Sequence, residues 1–454
     1  MRLVRNGVVV FAGLVIVAMG IRGLPTVAKR TSVLSSPESS SGYRLVSIQK
    51  VSDFGEICLP AEPGRGDANA DNNLFASYND RDENHLLDLL RGRSVYAATQ
   101  ENGQTLELNR QPVRRLWDTD PSYGSIAFDP RTGKVFLQDL NLWAIRIFDR
   151  MTNTPPSANR SEPERVIQGK NTELQFNTCM YIDPVNGDIY TVENDIGDSI
   201  KVFSQDASGN TAPKRNLKVT HRAHTITIDE QKEELFVSVN YPPQVEVYRK
   251  TASGNEKPLR VVTGESTRLA DVHGIALDQK AHELFVNNWG HISQYNVAGS
   301  GRFEEPSITV YPLDANGDTA PLRIIQGART QLDWPGAMFV DPDKGEVYVT
   351  NSVGQSILVF GAKDRGDVPP RRVLKGPRTG LSYPASLAVD IKNQELWVSN
   401  LGSASATVYP LTANGDVPPL RTIRSAPANK VSLKFGKTQA VTYDTKREEI
   451  LVPN

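Results

Sequence analysis

The chain has 454 residues, which is enough for one large domain with additional segments. Its 51 Lys and Arg residues are balanced by 52 Asp and Glu residues, which excludes a strongly basic surface of the kind that binds nucleic acid. The 34 Gly and 29 Pro residues are typical of a chain with many turns, as an all-β protein requires.

Residues 1–23 have the features of a secretory signal peptide or a short signal-anchor. Arg2 and Arg5 precede an uncharged apolar run, Gly7–Ile21, and Arg22 follows it. The run is shorter than the roughly 20 residues that a membrane-spanning helix needs. We therefore expect an exported protein that is periplasmic, extracellular or anchored to the membrane. Whether the leader is cleaved stays open.

Residues 24–93 are predicted to be a linker and an N-terminal extension. Ser32–Ser41 is rich in serine, Tyr43–Val51 has strand character, and Asp82–Arg91 has the pattern of a short amphipathic helix. Asp67–Asp71 alternates oxygen-bearing side chains as calcium loops do. The glycine and the bidentate glutamate of such loops are missing, so an ordinary polar loop is the simpler interpretation.

From residue 94 onward the chain repeats a unit of four short strands, and the clearest copy is Gly336–Gly376. Clusters of Gly, Asn and Asp separate runs of strand length, as tight hairpins require. The four predicted strands are Ala337–Val340, Glu346–Thr350, Ser356–Phe360 and Arg371–Leu374. A meander of roughly 50 residues cannot bury both faces alone, so it must stack on copies of itself.

Two recurrent positions count the copies. One is an Asp that ends strand one, found at Asp129, Asp183, Asp229, Asp278, Asp341, Asp390 and Asp444. The other is the Arg of a Pro-x-Arg triplet that opens strand four, found at Arg114, Arg165, Arg215, Arg260, Arg323, Arg372 and Arg421. Because each residue recurs in every copy, we expect both to cap turns or to pair between copies.

The order of these positions predicts how a ring of seven blades closes. Ser94–Ala98 and Pro112–Trp117 supply strands three and four of one blade, and Ala440–Val452 supplies its strands one and two. We therefore predict an all-β fold over residues 94–454. It is a seven-bladed β-propeller of four-stranded antiparallel blades, closed by pairing of the N- and C-terminal strands.

Function is expected where the blades differ, at the mouth of the central channel. The start of strand one and the end of strand two emerge there on the same face. Three successive blades supply five polar residues to one sector of this mouth: Glu193, His224, Asn240, His273 and Asn288. Such a set of carboxylate, imidazole and amide groups could hold one divalent cation, Ca or Zn, with one position open for a water or substrate oxygen.

Two other interpretations of this sector stay open. His224, His273 and Glu193 could act in acid–base catalysis. Alternatively the residues are structural, since Asn at the end of strand two recurs as a turn residue with local hydrogen bonds. The four Asn residues at this position are Asn288, Asn351, Asn400 and Asn454.

An insertion follows Asn288 on the same face. Consecutive Asp positions are 46 to 54 residues apart, except for the 63 residues from Asp278 to Asp341. The loop carries four candidate binding residues: Trp289, His291, Tyr295 and Phe303. A loop on a rigid scaffold often binds a partner, here a protein or small-molecule ligand, although many loops do no more than connect strands.

The chain has two cysteines, Cys58 and Cys179. An even number in an exported protein permits a disulfide, which would pin the N-terminal extension across the mouth face. The alternative is an unpaired Cys179 that acts as a small apolar residue.

A family resemblance follows from the repeat. Tyr348–Asn351 resembles the YVTN-type propeller repeat, and Gly274–Asp278 with Glu283–Asn288 is similar to NHL and SMP-30/gluconolactonase-like propellers. This group mixes enzymes with binding and envelope proteins. SMP-30-like lactonases are commonly six-bladed and hold a metal with a channel Glu and Asn or Asp residues. The resemblance loosely matches Glu193, Asn240 and Asn288 to them.

The sequence thus favours an exported, non-catalytic binding or scaffold module at the cell envelope, with no nucleic acid as partner. This interpretation depends on the lack of a strong catalytic constellation. The alternative is a metal-dependent lactonase or related hydrolase of SMP-30-like type with a site at the channel mouth. A further alternative is a subunit of a larger envelope complex.

Overall fold

The four strands predicted around residues 336–376 are present. The structure, a computed structural model, describes residues 119–292, 301–428, 430, 442–444 and 449–451. The repeat unit forms strands Pro335–Asp341, Glu346–Asn351, Ser356–Gly361 and Arg372–Leu374, paired antiparallel in chain order. The turn between the first two strands contains Gly345 at φ 61°, a conformation that glycine adopts without strain.

Among the described residues, six sheets of this kind make up the propeller. Blade 1 contains β1 (Tyr123–Asp129), β2 (Lys134–Asp139), β3 (Ala144–Asp149) and β4 (Arg165–Gln168). Blade 2 contains β5 (Asn177–Ile182), β6 (Ile189–Glu193), β7 (Ser199–Phe203) and β8 (Arg215–Lys218). Blade 3 contains β9 (Ala223–Asp229), β10 (Glu234–Val239), β11 (Gln244–Arg249) and β12 (Arg260–Val262).

The next three blades follow the same order. Blade 4 contains β13 (Val272–Asp278), β14 (Glu283–Asn288), β17 (Ser307–Pro312) and β18 (Arg323–Gln326), with the ribbon β15 (His291–Ile292) and β16 (Arg302–Phe303) inserted after β14. Blade 5 contains β19 to β22, the four strands given above. Blade 6 contains β23 (Pro384–Asp390), β24 (Glu395–Asn400), β25 (Ser405–Pro410) and β26 (Arg421–Arg424).

Short 3-10 turns follow strand four in four blades, at Lys170–Thr172, Glu265–Thr267, Ala328–Thr330 and Pro377–Thr379. Strands β27 (Thr442–Asp444) and β28 (Glu449–Leu451) form a two-stranded hairpin of their own. In the part of the chain that the structure describes, no helix has the length and apolar character needed to cross a membrane.

The hydrophobic core is divided among the junctions between neighbouring blades. Each of the six junctions contains one buried cluster of aliphatic and aromatic side chains. At the junction of blades 4 and 5, for example, Phe285 and Ile308 pack with Val347 and Phe360. A blade therefore buries each face against a neighbour, which explains why a single copy of the repeat would not be stable alone.

The recurrent Asp residues cap turns, as predicted. In blade 5 the Asp341 carboxylate accepts the backbone N–H groups of Asp343 at 3.1 Å and Lys344 at 3.0 Å. The same pattern holds in blade 3, where Asp229 accepts two backbone N–H groups of its own turn. An Asp at the end of strand one thus fixes the turn into strand two.

The recurrent Arg residues join blades, as predicted. Arg323 of blade 4 forms a bidentate pair with Glu283, with N–O distances of 2.8 and 2.6 Å. It also donates to the carbonyl oxygen of Ala362 in blade 5 at 3.0 Å. Its guanidinium carbon lies 5.3 Å from the centre of the Phe285 ring. One side chain therefore joins strands two and four of its blade, lies over an aromatic ring and links two blades.

The propeller fold is confirmed, but the prediction of seven blades is wrong, because the ring closes after six. The first strands form a continuous circle in which β1 packs against β5 on one side and against β23 on the other. The junction of blades 6 and 1 has its own core, with Tyr123 and Phe148 against Trp397 and Val408. No four-stranded blade among the described residues combines strands from the two ends of the chain.

The loop between strands three and four explains this closure. In blades 2 to 6 this loop bonds to strand four of the preceding blade, as when the Gly366 N–H donates to the Ile324 carbonyl at 2.7 Å. In blade 1 the loop is the Pro- and Ser-rich segment 152–163. Its Thr154 N–H donates to the Thr422 carbonyl of blade 6 at 2.8 Å. Blade 1 therefore contacts blade 6 as every other blade contacts its predecessor.

The strands assigned to a seventh blade stand as follows. Ser94–Ala98 and Pro112–Trp117 lie outside the described residues, as do the predicted leader, linker, calcium-like loop and helix. The hairpin predicted within Ala440–Val452 is present as β27 and β28, with Asp444 at its turn. It repeats the Asp-turn-strand pattern of a blade, which explains why counting that pattern gave seven.

Removing Ala440–Asn454 is expected to leave the six-bladed ring folded, because blades 1 and 6 close it. Near-UV circular dichroism and thermal unfolding should both remain close to those of the full chain. The matched control is Trp397→Ala in the closing core, which should cost about 3–5 kcal/mol. A truncated chain that loses its cooperative unfolding transition would restore the seven-bladed interpretation.

Candidate functional site

The rim of the channel mouth is built from two positions in each blade. One is the residue just before strand one, and the other is the residue just after strand two. A backbone hydrogen bond joins them, as when the Trp289 N–H donates to the Asp271 carbonyl at 3.1 Å. The six pairs are Ser122 with Leu140, Phe176 with Asn194, Arg222 with Asn240, Asp271 with Trp289, Trp334 with Ser352 and Tyr383 with Leu401.

Four of the residues before strand one have a left-handed backbone. Their φ angles are 70° at Arg222, 55° at Asp271, 55° at Trp334 and 45° at Tyr383. This conformation costs a non-glycine residue about 1–2 kcal/mol. The backbone is the same in the four blades while the side chains are a guanidinium, a carboxyl, an indole and a phenol. The rim therefore presents a different functional group in each of these blades on the same backbone conformation.

A ladder of four aromatic rings crosses blades 3, 4 and 5 at this rim. The His224 and His273 ring centres are 4.3 Å apart, and His273 stacks on Trp289 with ring centres 3.3 Å apart. Trp289 in turn stacks on Trp334, with ring centres 4.4 Å apart and an interplanar angle of 20°. Trp334 is 47% exposed and ends the ladder at the surface. The exposed indole can stack on a ligand.

A buried acid lies beside this ladder. Asp271 accepts a hydrogen bond of 2.7 Å from the Tyr241 hydroxyl, and its other carboxyl oxygen lies 3.3 Å from Nδ1 of His273. Burial raises the pKa of Asp271 to about 7, opposed by the Tyr241 hydrogen bond and by the positive charge of Arg222. A carboxyl group with this pKa donates or accepts a hydrogen bond near neutral pH.

The predicted insertion joins the same cluster through His291. Its Nδ1 lies 2.7 Å from the Tyr241 hydroxyl, and the two rings meet edge to face with centres 5.4 Å apart. Because Tyr241 donates to Asp271, this contact requires His291 to carry its hydrogen on Nδ1. Burial lowers the pKa of His291, which favours the neutral ring.

The structure therefore brings residues of the predicted mouth sector into contact with residues of the predicted insertion. His224, His273 and Asn240 form one contiguous group with Trp289 and His291. The Asn240 amide nitrogen donates to the Val272 carbonyl at 2.7 Å and lies 3.3 Å from Nδ1 of His273. Of the other loop residues, Phe303 is 70% exposed in the ribbon strand β16, and Tyr295 lies outside the described residues.

Glu193 has a different environment from the one predicted. It is fully buried, and its carboxylate accepts backbone N–H groups from Phe176 at 3.1 Å, Ile196 at 3.2 Å and Asp198 at 2.9 Å, with a further bond from Gly197. These bonds fix the turn after β6. Burial raises the pKa of Glu193 and, in the neighbouring strand, lowers that of Lys201.

Lys201 donates to the Ser199 hydroxyl at 2.7 Å and acts on Glu193 through its charge, and the same position in other blades shows related arrangements. At the end of strand two, Asp139 of blade 1 pairs with Arg146 of strand three at 3.2 Å. In blade 4, Asn288 instead donates to Thr309 of strand three at 3.0 Å. An acid is thus matched by a cation and an amide by a hydroxyl. The arrangement supports the structural interpretation of the Asn residues at this position.

Asn288 also caps a turn, since its side-chain oxygen accepts the Ala270 N–H at 3.0 Å. Glu193, Asn240 and Asn288 therefore each direct their polar atoms to different local partners. Within the described ranges, no group of three or more His, Cys, Asp or Glu side chains is placed to hold a metal ion. The predicted divalent cation stays a prediction.

Cys179 lies on strand β5, and its side chain faces blade 3. Its sulfur lies 3.7 Å from the Met180 carbonyl oxygen and 3.8 Å from that of Ile226. Burial of the thiol raises its pKa to about 11, so that little reactive thiolate forms at neutral pH. Cys58 lies outside the described residues, and the disulfide stays a prediction.

Sequence reasoning missed Asp271, Tyr241 and Trp334. Each lies one residue or more outside the strand pattern, in a segment that periodicity does not describe. A signal does exist, because Trp334 and Tyr383 both precede a proline that opens strand one. Extending the blade alignment to two residues before His224 and His273 would place Arg222 and Asp271 at the position of Trp334 and Tyr383.

No protein-family model matches this chain, and no curated protein matches it. Among solved structures it is similar to hydrazine synthase of Kuenenia stuttgartiensis, with 12% sequence identity and a TM-score of 0.45, over 76% of this chain and 98% of that chain. At this identity and TM-score the likeness carries no argument about function. The resemblance to NHL and YVTN repeats stays a prediction.

Proposed function

We propose that this chain is an exported β-propeller that binds a ligand at the mouth rim and acts as a binding or scaffold module of the cell envelope. The observation that carries the proposal is the aromatic ladder from His224 to Trp334, which ends on a half-exposed indole. Export is supported by the basic start and the apolar run Gly7–Ile21.

The rim suits binding for three physical reasons. It lies on a closed ring whose blades are joined by buried cores and Arg pairs, so its side chains are held rigidly. It gathers single-copy aromatic and polar groups, whereas the repeated residues serve the fold. Its exposed aromatic residues offer a large contact area at low cost in side-chain entropy.

The test is a photo-crosslinker placed at Val353, an exposed residue of the mouth loop beside Trp334. Irradiation of cells that produce this variant should give a covalent adduct in the envelope fraction. Adding Trp334→Ala should abolish the adduct. The matched control carries the crosslinker at Leu420, 52% exposed on the opposite face, and should give none. No adduct at Val353, or an equal one at Leu420, would overturn the proposal.

The alternative is a metal-dependent lactonase, and one observation favours it: the ring has six blades, as SMP-30-like lactonases commonly have. Elemental analysis of the purified protein and a lactone hydrolysis assay separate the two. One tightly held Ca²⁺, Zn²⁺ or Mg²⁺ that is lost in Glu193→Gln would favour the enzyme. Protein without metal and without lactone turnover would favour the binding module.

A further inference from the structure

Two aromatic side chains stand exposed next to each other around the rim, in blades 5 and 6. Trp334 is 47% exposed and Tyr383 is 49% exposed. Both occupy the position before strand one and share its left-handed backbone, with φ of 55° and 45°. Trp334 packs on Trp289, and the rest of its ring, together with Tyr383, offers an exposed aromatic surface on a left-handed backbone, which points to a ligand.

The two aromatic residues are connected through the mouth loop of blade 5, residues 352–355. This loop forms hydrogen bonds with the segment that contains Trp334 and with the segment that contains Tyr383. The Ser352 N–H donates to the Trp334 carbonyl at 3.1 Å, and the Ser352 hydroxyl donates to the Pro384 carbonyl at 2.7 Å. The Gln355 side-chain oxygen accepts the Tyr383 N–H at 3.0 Å. The spacing of Trp334 and Tyr383 is therefore fixed by hydrogen bonds.

The mouth loops of blades 5 and 6 carry fewer charged side chains than the rim of blades 2 to 4. The mouth loops at residues 352–355, 380–383 and 401–404 contain no Asp, Glu, Lys, Arg or His, and one acid, Asp333, directly precedes Trp334. Their side chains are hydroxyls, one amide and small apolar groups. The rim of blades 2 to 4 instead carries Asp195, Asp198, His221, Arg222, Asp271 and His291.

We propose that the rim of blades 5 and 6 binds a neutral saccharide. One sugar ring lies with its C–H face on the exposed face of Trp334, and the chain of sugars continues over Tyr383. This inference rests on the proposed function of the mouth rim and names its ligand class.

The chemistry of the surface matches a saccharide in two respects. The face of an aromatic ring carries partial negative charge and attracts the weakly positive C–H groups that line one side of a sugar ring. Hydroxyl and amide side chains donate and accept hydrogen bonds, as sugar hydroxyls do. A charged ligand would gain nothing from these loops and would be drawn to the ionised half of the rim.

The test titrates the full chain with neutral oligosaccharides of six units, built from glucose, xylose or N-acetylglucosamine, and follows tryptophan fluorescence and calorimetry. At least one should bind, and Trp334→Ala should weaken it roughly 10-fold or more. Tyr383→Ala should weaken it too, while Leu420→Ala on the opposite face should not. A carboxymethylated form of the bound saccharide should bind no more tightly, and the affinity should change little with salt.

Each outcome of these experiments supports or contradicts a stated part of the proposal. No neutral saccharide bound at 10 mM, or binding unchanged in Trp334→Ala, overturns the ligand class. Tighter binding of the carboxymethylated form overturns its neutrality. If the crosslinker at Val353 forms a Trp334-dependent adduct with a protein while no saccharide binds, the mouth rim is a binding surface for a different class. If no adduct forms, the proposed function itself fails.

Discussion

We expect the Asp271→Asn variant to be more stable than the wild-type protein at pH 8, by about 4 kcal/mol, and nearly equal to it at pH 4. Burial raises the pKa of Asp271 from 3.8 to about 7, opposed by the Tyr241 hydrogen bond and the charge of Arg222. A difference of about 3 pKa units, at 1.36 kcal/mol each, gives the expected effect.

The sign follows from the two protonation states. In the unfolded chain the carboxyl loses its proton near pH 4, whereas in the folded protein it keeps the proton until about pH 7. Stability is therefore full below pH 4 and falls as the pH rises to 7. Asparagine is a neutral analogue of the protonated acid, and it tolerates the φ of 55° at this position.

Urea unfolding at several pH values between 4 and 8 measures the effect in both proteins. The matched control is Asp343→Asn, which removes an exposed acid on the opposite face and should change the free energy of unfolding by less than about 0.5 kcal/mol at every pH. If the wild type and Asp271→Asn show the same dependence on pH, Asp271 titrates as an ordinary carboxyl and the prediction is wrong.

Glu193→Gln should destabilise the protein by about 3 kcal/mol. The substitution removes a negative charge that favours the charged form of the buried Lys201, and the new amide group faces backbone N–H groups that now donate to the carboxylate. Burial already lowers the pKa of Lys201, so the loss of the nearby negative charge makes its charged state still less favourable.

The control is the double variant Glu193→Gln with Lys201→Met, which removes both charges. It should lose less stability than Glu193→Gln alone, because no unpaired charge remains buried. Urea unfolding at pH 7 without divalent cations measures both. Should Glu193→Gln lose stability only when Ca²⁺ or Zn²⁺ is added, Glu193 would be a metal ligand and not a turn cap.

The strands of each blade could be predicted from the sequence because their signals are local. The sequence predicts Glu346–Thr350 and the structure has Glu346–Asn351, since a run rich in β-branched residues lies between the turn Asp341–Gly345 and the turn that begins after Asn351. The roles of Asp341 and Arg323 were also predictable. A residue that recurs at one position in each blade has the same neighbours each time.

The number of blades could not be predicted in this way, because closure is not local. Asp444 and Arg114 look like members of the repeat, and periodicity alone assigns both to the ring. The ring instead closes where Thr154 bonds to Thr422, through a loop whose sequence differs from the other loops at that position. The segments of Thr154 and Thr422 are brought together only by the fold, so no repeated sequence motif marks their contact.

The site was partly predictable for a similar reason. His224 and His273 fall at the start of strand one and Trp289 follows strand two, so the strand pattern placed all three at the mouth. The stacking of Trp289 between His273 and Trp334 depends on the angle between neighbouring blades. The burial that shifts the pKa of Asp271 likewise depends on side chains from two blades.

The pairing of rim residues by main-chain bonds has a consequence for how this molecule can change. Each rim side chain projects from a turn that its own blade holds in place, as Ser352 holds Trp334. Replacing one such side chain changes the chemistry of its own sector and of the side chains that stack on it, while the backbone of the rim is kept. The surface of the mouth can therefore vary from blade to blade while the ring that supports it stays the same.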